Sequence, residues 1–426
     1  MNTVLKFGHK KNVFLWECYL RLLYLLAYLW RLFLFRTTFI AITGSVGKTT
    51  TKECLAAILS AHFPTAMTPY NQNDAYGVPR TILRIRPWHR FAVVEIGTSQ
   101  PGRVGKLARL VRPHIAIVLA VARTHINFFK TLEETAREKA QILKPLSSDG
   151  LAILNADDPR VLRMAGNCNC KVKTFGLSKE YNLWADEVSS KWPERLTLRV
   201  HTGPRAEWIK TNLVGEHWVN SILAALLAAI SCGISLKDAA AALEKVKPVM
   251  GRMQPVITPS GAVILRDEEN GSSDTLMPAL KVLKEANAKR RVLVMSDISD
   301  SRDKPRDRLR KLGRTASQIA DLAVFIGEYG HHAAKAAITS GMKPEHAHHF
   351  KDLYRAVLYL QSELRSGDLV LLKGRITDHL SRLFLAQFGP IGCWKTKCGK
   401  TFLCDICKEL KPEFDLSGIG SRLLIQ

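Results

Sequence analysis

The chain has 426 residues, of which 46% are hydrophobic and 23% are charged. This composition excludes a disordered tail and gives room for two or three domains with their own cores. The 62 Lys and Arg residues outnumber the 38 Asp and Glu residues, a formal charge of +24. This favours anionic partners such as nucleotides, acidic lipid surfaces or nucleic acid. The scattered cysteines outside the C-terminal tail form no evident disulfide framework, which indicates a reducing, cytoplasmic compartment.

The first distinctive element is a hydrophobic segment at positions 13–35, VFLWECYLRLLYLLAYLWRLFLF. It has the length of a bilayer crossing, but Glu17, Arg21 and Arg31 argue against a clean span. Helical spacing pairs Glu17 with Arg21 and suits an interfacial helix facing anionic headgroups. We expect residues 1–36 to form a membrane-associated helix, peripheral to or anchored in the cytoplasmic membrane. The alternatives are a helix docked on the protein itself or on a partner, and a cleaved signal peptide.

Short buried-strand runs then alternate with helix-like segments. The runs of the first half are FIAITG, FAVVEIG, IAIVLAV and LAILNA, and those of the second half are AVILRD, RVLVMSD, LAVFIG and DLVLLKG. Such alternation predicts a parallel α/β domain in each half. Proline and glycine in KVKPVMGR, residues 245–252, interrupt a helical stretch and predict a domain boundary there.

A glycine-bracketed turn joins a strand to a helix in FIAITGSVGKTTTKECLAAIL. Backbone N–H groups and the helix N-terminus face an anion in such a turn, and the lysine supplies a mobile cation. The threonine after the lysine offers a hydroxyl to the magnesium that accompanies a nucleotide. The spacing Gly-x-x-Gly-Lys-Thr is shorter than the common phosphate-loop form. We predict nucleotide contacts for Gly44, Ser45, Val46, Gly47, Lys48, Thr49 and Thr50.

The loop GSVGKTTTKE resembles that of the Mur ligase family, the ATP-dependent amide-forming enzymes of peptidoglycan precursor synthesis. Further similar motifs follow in the family's order and reach to about residue 388: YNQNDAYGVP, VVEIG, ARTHINFF, REKAQIL, LNADDP, VMGR, DEENGSSDT and KGR. The pattern is most similar to the branch that adds a D-alanyl dipeptide. The resemblance implies a P-loop-type parallel-sheet ATPase domain at 37–248 and a Rossmann-like ligase C-terminal domain at 249–388.

The resemblance also implies an activity: ATP and magnesium are used to join a carboxylate to an amino acid or dipeptide amine through an acyl phosphate. It implies catalytic roles for Lys48, Glu95, His125 and Lys139. It implies magnesium-side roles for Thr49, Glu95, His125 and Lys139, the last being the family's commonly carbamoylated lysine. Further nucleotide contacts are implied for Asn220, Arg252, Asp267 and Asn270. Substrate contacts are implied for Asn71, Asn73, Lys373 and Arg375.

Each of these residues has a plainer interpretation when it is taken alone. Glu95 is then a strand-end acid in water, His125 a loop histidine and Lys139 a solvated helix residue. Asp267 and Asn270 follow a strand and are then caps of the next helix. The shared order of the motifs is what favours the functional interpretation.

Three departures from the family pattern bear on the substrates. In GEHWVNSILAA, Trp218 and Ser221 stand where the family has asparagines, which questions adenine or ribose recognition unless Trp218 stacks on the base. In DEENGSSDT, Ser272 replaces the second asparagine. The segment before the first strand is too short for the family's UDP-sugar-binding domain, which favours a membrane-proximal or lipid-linked acid.

A cysteine cluster occupies the tail, residues 389–426. Four thiolates within a short segment suit tetrahedral structural zinc, which predicts a zinc knuckle built from Cys393, Cys398, Cys404 and Cys407. Unpaired or redox-active thiols are the alternative. Few aromatic residues flank the cluster, which argues against nucleic-acid binding.

Three functional classes follow from the sequence. The first is an ATP-dependent ligase of small-molecule carboxylates and amines, working near a membrane surface. The second is a catalytically altered, Mur-like binding or scaffold protein at the membrane. The third, a basic phosphate-loop protein acting on nucleic acid, rests mainly on the +24 charge. The set of Glu95, His125 and Lys139 favours the ligase.

Overall fold

The structure is a computed structural model, which describes residues 10–98, 100–123, 128–396 and 398–416, with side chains from residue 15 onward. The helices are α1 (Lys10–Phe33), α2 (Lys48–Ser60), α3 (Gly77–Arg84), α4 (Arg103–Val111), α5 (Leu132–Ala140), α6 (Pro159–Leu162), α7 (Val219–Ser231), α8 (Leu236–Leu243), α9 (Ser273–Glu285), α10 (Pro305–Ile319), α11 (Gly330–Thr339), α12 (Leu353–Glu363) and α13 (Ser381–Leu385). The strands are β1 (Thr38–Thr43), β2 (Thr65–Met67), β3 (Phe91–Glu95), β4 (Ile115–Val118), β5 (Leu151–Asn155), β6 (Lys171–Gly176), β7 (Leu183–Ser189), β8 (Thr197–Thr202), β9 (Arg205–Lys210), β10 (Gln254–Ile257), β11 (Val263–Asp267), β12 (Arg290–Met295), β13 (Leu322–Ile326), β14 (Ala347–Phe350) and β15 (Asp368–Lys373).

A nine-stranded sheet organises the first half of the described chain, in the order β2-β3-β1-β4-β5-β6-β7-β8-β9. The strands from β2 to β7 are parallel, and β8 and β9 extend the sheet in antiparallel fashion. The parallel strands are near-continuous apolar runs because helices cover both faces of the sheet. The predicted parallel α/β domain is confirmed, whereas the antiparallel extension was not predicted.

A six-stranded sheet organises the second half, in the order β10-β11-β15-β12-β13-β14. Only β10, at one edge, runs antiparallel to its neighbour, and the other pairs are parallel. The four strand-like runs of this half form β11, β12, β13 and β15, as the sequence predicts. Residues 245–252 join the two halves, between the end of α8 and the start of β10.

The two halves share one apolar core cluster. Ile42 of β1, Leu55 of α2 and Ile222 of α7 belong to it, and so do Leu265 and Leu293 of the second sheet. A shared core means that the two domains are held together by apolar burial as well as by polar contacts.

Helix α1 packs along α3 and α4 on the other face of the first sheet. Ala27 and Leu34 are buried in that core, and Leu23 is buried as well. The Trp30 indole N–H donates to the carbonyl oxygen of Ile85 at 2.9 Å. One side of α1 is therefore docked on the protein itself, an alternative that the sequence left open. Among the described residues, no helix combines the length and the apolar character needed to cross a membrane.

The cysteine-containing tail packs on the second domain. Ile391 and Leu410 lie in the apolar cluster of that domain, and buried Arg266 donates to both carboxylate oxygens of Asp405 at 2.6 and 2.9 Å. Glu268 accepts from the same guanidinium. The tail is therefore an integral layer of the second domain.

Candidate active site

The carboxyl ends of parallel strands from both sheets face one cavity of about 630 Å³. Glu95 ends β3, Asn155 ends β5, Asp267 ends β11 and Lys373 ends β15, and all four line the cavity. Open α/β sheets bind ligands beside the carboxyl ends of their strands. The predicted site residues brought together at this cavity are Ser45, Val46, Gly47, Lys48, Thr49, Asn71, Asn73, Glu95, Asn220, Arg252, Asp267, Asn270, Lys373 and Arg375.

The turn between β1 and α2 has the geometry of a phosphate-binding loop. Gly47 has a φ of 84°, and a Cβ added there would lie 2.8 Å from the Ser221 hydroxyl, so only glycine fits. Gly44 packs against Leu119 and Thr50 is buried within α2. These two predicted loop residues shape the turn instead of lining the cavity.

Lys48 begins α2, and its ammonium donates to the carbonyl oxygen of Gly44 at 2.7 Å. Burial lowers the pKa of Lys48, and the nearby charge of Glu95 acts in the opposite direction. The side chain is thus folded back on its own loop, within reach of the anion that the loop amides favour.

Glu95 is the carboxylate best placed to meet a cation. It is 1% exposed, and its Oε1 accepts from the Asn73 amide at 2.6 Å. Its Oε2 is buried and accepts no hydrogen bond within the part of the chain that the structure describes. A buried carboxylate oxygen without a partner is costly unless an ion or water satisfies it. This donor set fits a magnesium ion.

Gly97 has no side chain, and this leaves room for the Asn73 amide beside Glu95. A Cβ at Gly97 would lie 2.3 Å from Asn73 Oδ1. Buried Lys52 ties α2 to the segment that precedes Asn73, because its ammonium donates to the carbonyl oxygens of Thr68 and Tyr70 and pairs with Glu53 at 2.9 Å. Lys52 could not be singled out from the sequence, because a lysine within a helix pattern is usually solvated.

Lys139 lies in α5 with only 3% of its surface exposed. Burial, and next the positive charge of Lys48, place the pKa of Lys139 well below its ordinary value, while Glu138 acts in the opposite direction. The Glu138 carboxylate accepts from the backbone amides of Gly102 and Val104 at 2.7 and 2.8 Å, which ties α5 to α4. The solvated-helix interpretation of Lys139 is therefore wrong. The prediction for His125 lies outside the described residues.

The N-terminal end of α7 contributes Asn220 and Ser221. Asn220 Oδ1 is buried and accepts no hydrogen bond from any described residue, and Ser221 donates to the carbonyl oxygen of Gly47 at 3.4 Å. Trp218 is 8% exposed, and its indole N–H donates to the carbonyl oxygen of Val214 at 3.1 Å. The indole is thus mostly buried in the domain, with part of the side chain lining the cavity.

A polar bridge crosses from the second domain to the phosphate loop. Arg252 donates to the hydroxyl of Thr49 at 3.2 Å and pairs with Glu269 at 2.7 Å. Glu269 also accepts from the Asn71 amide at 2.8 Å. We call Asn71, Thr49, Arg252 and Glu269 the interdomain bridge. The sequence predicted a nucleotide contact for Arg252 but missed Glu269, because nothing local marks a carboxylate that acts across domains.

Lys373 is fully buried. Its ammonium donates to Asp267 Oδ2 at 2.6 Å, to the carbonyl oxygen of Asn270 at 2.6 Å and to the Thr275 hydroxyl at 3.1 Å. These contacts use its three N–H donors. In this structure Lys373 therefore holds Asp267 and the 270–275 turn in place. Near it, burial and then the Lys373 charge lower the pKa of His217 to about 3, so His217 is neutral.

Arg375 is a predicted substrate contact whose side chain is 34% exposed, and its guanidinium lies 3.7 Å from Asp297. It donates to both carboxylate oxygens of Asp378 at 2.9 and 2.8 Å. A guanidinium oriented in this way can present its remaining edge to an anionic group.

The four tail cysteines line one narrow cavity together with His379. All four are free thiols. Within the described ranges, however, no three His, Cys, Asp or Glu side chains are arranged to hold a metal ion. The proximity of the four cysteines therefore supports the zinc prediction, whereas the arrangement of their side chains does not.

Taken together, a phosphate loop, an unsatisfied carboxylate beside it and a second α/β domain across the cavity define a nucleotide-dependent enzyme of two domains. The model of the Mur ligase middle domain matches residues 42–229, and that of the Mur ligase glutamate ligase domain matches residues 251–376. The chain belongs to the Mur ligase family.

The similar proteins include UDP-N-acetylmuramoyl-tripeptide–D-alanyl-D-alanine ligases. That of Mycobacterium bovis is 29% identical over 359 residues, covering 79% of this chain and 70% of the relative. That of Escherichia coli is 33% identical over 265 residues, covering 61% of this chain and 58% of the relative. The crystal structure of MurF from Acinetobacter baumannii superposes with a TM-score of 0.78 at 27% identity, covering 85% of this chain and 79% of that one.

The family and the fold establish the general activity. The chain is an ATP-dependent ligase that forms an amide bond between a carboxylate and an amino acid or dipeptide amine. The enzyme class that the sequence favoured is confirmed.

Proposed function

We propose that this ligase joins a cell-wall-type acid to a dipeptide, and that D-alanyl-D-alanine is the first amine to test. The proposal is supported by the relatives, whose names specify a muramoyl tripeptide and D-alanyl-D-alanine. The observation that carries it is the placement of Lys48 and Glu95 on one side of the cavity and of Asp267 and Arg375 on the other.

The proposed chemistry has two steps. The acid's carboxylate oxygen attacks the γ-phosphorus of ATP, the bond from that phosphorus to the β-phosphate bridging oxygen breaks, and an acyl phosphate and ADP result. The amine nitrogen then attacks the acyl carbon, phosphate leaves, and the nitrogen loses a proton. Each step gathers negative charge, so the site must supply cations and N–H donors.

We assign the phosphate side of the cavity to the first domain. Lys48 and the amides of the loop at residues 44–50 hold the β- and γ-phosphates. Magnesium would be held by Thr49 and Glu95, and it would neutralise phosphate charge there. Asn73 orients the Glu95 carboxylate through the 2.6 Å hydrogen bond. Lys139, and His125 by resemblance alone, are proposed for a second magnesium.

We assign the nucleoside and the amine to the side nearer the second domain. Asn220 offers a buried amide oxygen without a partner among the described residues, which suits a donor on a base. Asp267 and Asn270 lie across the cavity from it. Arg375 is proposed to meet the carboxylate of the dipeptide, with Lys373 as the residue that positions Asp267.

Two further proposals concern partners beyond the cavity. We propose that the enzyme works at the surface of the cytoplasmic membrane, supported by the outward apolar side chains of α1. Structural zinc in the tail stays a prediction, supported only by the shared cavity of the four cysteines. A metal assay on the purified protein decides it, and a protein without zinc would remove the idea.

The activity test uses purified protein, ATP, magnesium, a cell extract as the source of acid, and D-alanyl-D-alanine or a pool of amino acids and dipeptides. Phosphate release should need both the extract and an amine, and it should vanish in Lys48→Ala. Release that needs no amine, or that persists in Lys48→Ala, would contradict the proposal. ATP binding without release in any mixture would favour the scaffold alternative.

A further inference from the structure

Helix α1 carries large apolar side chains on the side that faces away from the protein. We call this set the apolar face of α1. Each member is between 42% and 74% exposed, and the members are Leu15, Tyr19, Leu22, Leu25, Leu26, Tyr28, Leu29, Leu32 and Phe33 of the helix, with Phe35 just after its end. The opposite side of the helix is already buried in the domain core. A contiguous apolar surface of this kind marks an interaction site.

The elements beside α1 are mostly basic, while Glu17 of α1 and Asp74 at the cavity are carboxylates near the apolar face. Between positions 76 and 114, which include α3, α4 and the loop before β3, the only carboxylate is Glu95, which is buried in the active site. The basic residues of the same interval are Arg80, Arg84, Arg86, Arg90, Arg103, Lys106, Arg109 and Arg112. An apolar helix face with a basic surround matches an anionic lipid surface, in which leucines enter the acyl boundary and cations meet the headgroups.

The packing of α1 fixes how the enzyme would sit on such a surface. The helix is held flat along α3 and α4 by its buried side. Trp88, in the loop before β3, is 70% exposed, and the aromatic character of this residue suits the headgroup layer. An α1 helix anchored in this way lies in the plane of the surface.

One end of the apolar face reaches the active-site cavity. The rings of Trp16 and Tyr19 lie 5.6 and 6.3 Å from the ring of Tyr76. Tyr76 directly precedes α3 and follows Asp74 and Ala75, which line the cavity. The helix therefore borders the same part of the cavity that holds Asn71 and Asn73.

Basic side chains lie along the path from the apolar face to the cavity. The Arg80 guanidinium is 4.8 Å from the centre of the Tyr76 ring, and the Lys106 ammonium is 4.7 Å from that of Tyr24 in α1. Arg103, at the start of α4, lines the cavity itself. These positions suit an anionic group on a substrate that enters from the lipid side.

We propose that the apolar face of α1 seats the enzyme on an anionic bilayer, and that its acid substrate is a carboxylic acid attached to a membrane lipid through an anionic headgroup. The headgroup passes Arg80, Lys106 and Arg103, and the carboxylate reaches the cavity beside Asn73. The substrate part of this inference rests on the proposed ligase function, whereas the docking part does not.

Vesicle flotation of the full-length protein tests the docking. The wild type should float with vesicles of phosphatidylglycerol and phosphatidylcholine, and much less with phosphatidylcholine alone. Combined Leu22→Ser, Leu25→Ser and Leu29→Ser should lower the bound fraction about tenfold. The matched control combines Leu162→Ser, Leu177→Ser and Leu358→Ser, three exposed leucines elsewhere, and should bind as the wild type does.

The membrane-docking proposal would be overturned if the wild type did not bind anionic vesicles, or if the control variant lost as much binding as the α1 variant. Concentration-dependent dimerisation lost in the α1 variant, without vesicle binding, would instead assign the face to a second copy of the chain. Circular dichroism establishes that both triple variants are folded.

Extract fractionation tests the substrate. Phosphate release in the presence of ATP, magnesium and D-alanyl-D-alanine should require the organic-solvent lipid fraction and should fall in the α1 variant but not in its control. Equal release with the aqueous fraction, in both variants, would overturn the lipid-attached substrate while leaving the ligase intact. Release with neither fraction would count against the proposed function, and against the substrate class with it, whereas flotation decides the docking separately.

Discussion

At the scale of single residues, Glu95 is the side chain whose environment most clearly requires a ligand. One of its oxygens is held by Asn73, and the other is buried without a partner in the described structure. A structural acid would have both oxygens satisfied. The residue is therefore better understood as half of a site that a cation completes.

Glu95→Gln should test that interpretation. The substitution keeps the shape and removes the charge, so we expect kcat to fall by about 100- to 1,000-fold, the usual effect of losing one electrostatic contact in an active site. The thermal unfolding temperature should stay near that of the wild type. Glu133→Gln, an exposed carboxylate paired with Arg160, is the control. Equal activity of Glu95→Gln and the control would remove Glu95 from the magnesium site.

A second prediction concerns Lys139. Because its pKa is lowered, its amine becomes neutral at a lower pH than the amine of an ordinary lysine does. Only a neutral amine reacts with carbon dioxide to form a carbamate. The wild-type rate should thus drop in carbon-dioxide-depleted buffer near neutral pH and recover when bicarbonate is added.

Lys139→Arg keeps a positive charge but forms no carbamate, so it should be nearly inactive and insensitive to bicarbonate. Lys144→Arg, which changes the next lysine along the chain, serves as the control and should respond as the wild type does. A bicarbonate-insensitive wild type of full activity would exclude the modification.

The sequence predicted most of the residues at the cavity, since the phosphate loop and the strand-end acids lie in recognisable local patterns. It missed Lys52 and Glu269, whose partners lie 18 and 198 positions away in sequence. It also predicted that Lys373 meets substrate, whereas here a buried carboxylate occupies its ammonium. Long-range pairing of this kind depends on tertiary packing and leaves no local signal.

At the scale of elements, the apolar runs predicted the buried parallel strands β1, β3, β4, β5, β11, β12, β13 and β15, because such strands are buried on both faces. The parallel strands β2, β6 and β14 were not predicted, since they are short or carry polar, partly exposed residues. The strands β7, β8 and β9 escaped prediction because they form an outer extension that mixes buried residues with exposed charged ones such as Glu187, Arg199 and Lys210. The tail was expected to be a separate unit. Buried Arg266, which pairs with Asp405, and apolar tail residues such as Ile391 and Leu410 incorporate it into the second domain.

Asp405→Ala should loosen that tail. It removes a bidentate partner of Arg266, which is 2% exposed, so we expect a loss in the free energy of unfolding of about 3 kcal/mol. Urea unfolding measures the loss, and limited proteolysis should cut first within residues 389–416. Glu409→Ala, which breaks an exposed pair with Lys395, should cost less than about 1 kcal/mol. Similar losses in the two variants would show that the tail is held by its apolar contacts instead.

At the scale of the whole molecule, the two domains meet in two ways that differ in character. The shared apolar core joins residues of both domains, whereas the interdomain bridge of Asn71, Thr49, Arg252 and Glu269 lies at the mouth of the phosphate loop. A ligand that binds between domains stabilises the closed arrangement through such contacts. The bridge is thus the part of the interface that nucleotide binding can alter.

Glu269→Ala should distinguish the contribution of the interdomain bridge from that of the shared apolar core. It frees Arg252 and Asn71 without touching the apolar core, so the unfolding temperature should change little, while KM for ATP should rise by about 5- to 20-fold because closure is less favourable. Small-angle scattering should show a wider distribution of interdomain distances without nucleotide and a normal one with ATP and magnesium. Glu328→Ala, which removes an exposed pair with Lys351 in the same domain, should leave all three quantities unchanged. If Glu269→Ala instead lowered the unfolding temperature with no change in KM, the bridge would serve stability rather than closure. Arg252 would then have no role in bringing the second domain to the nucleotide.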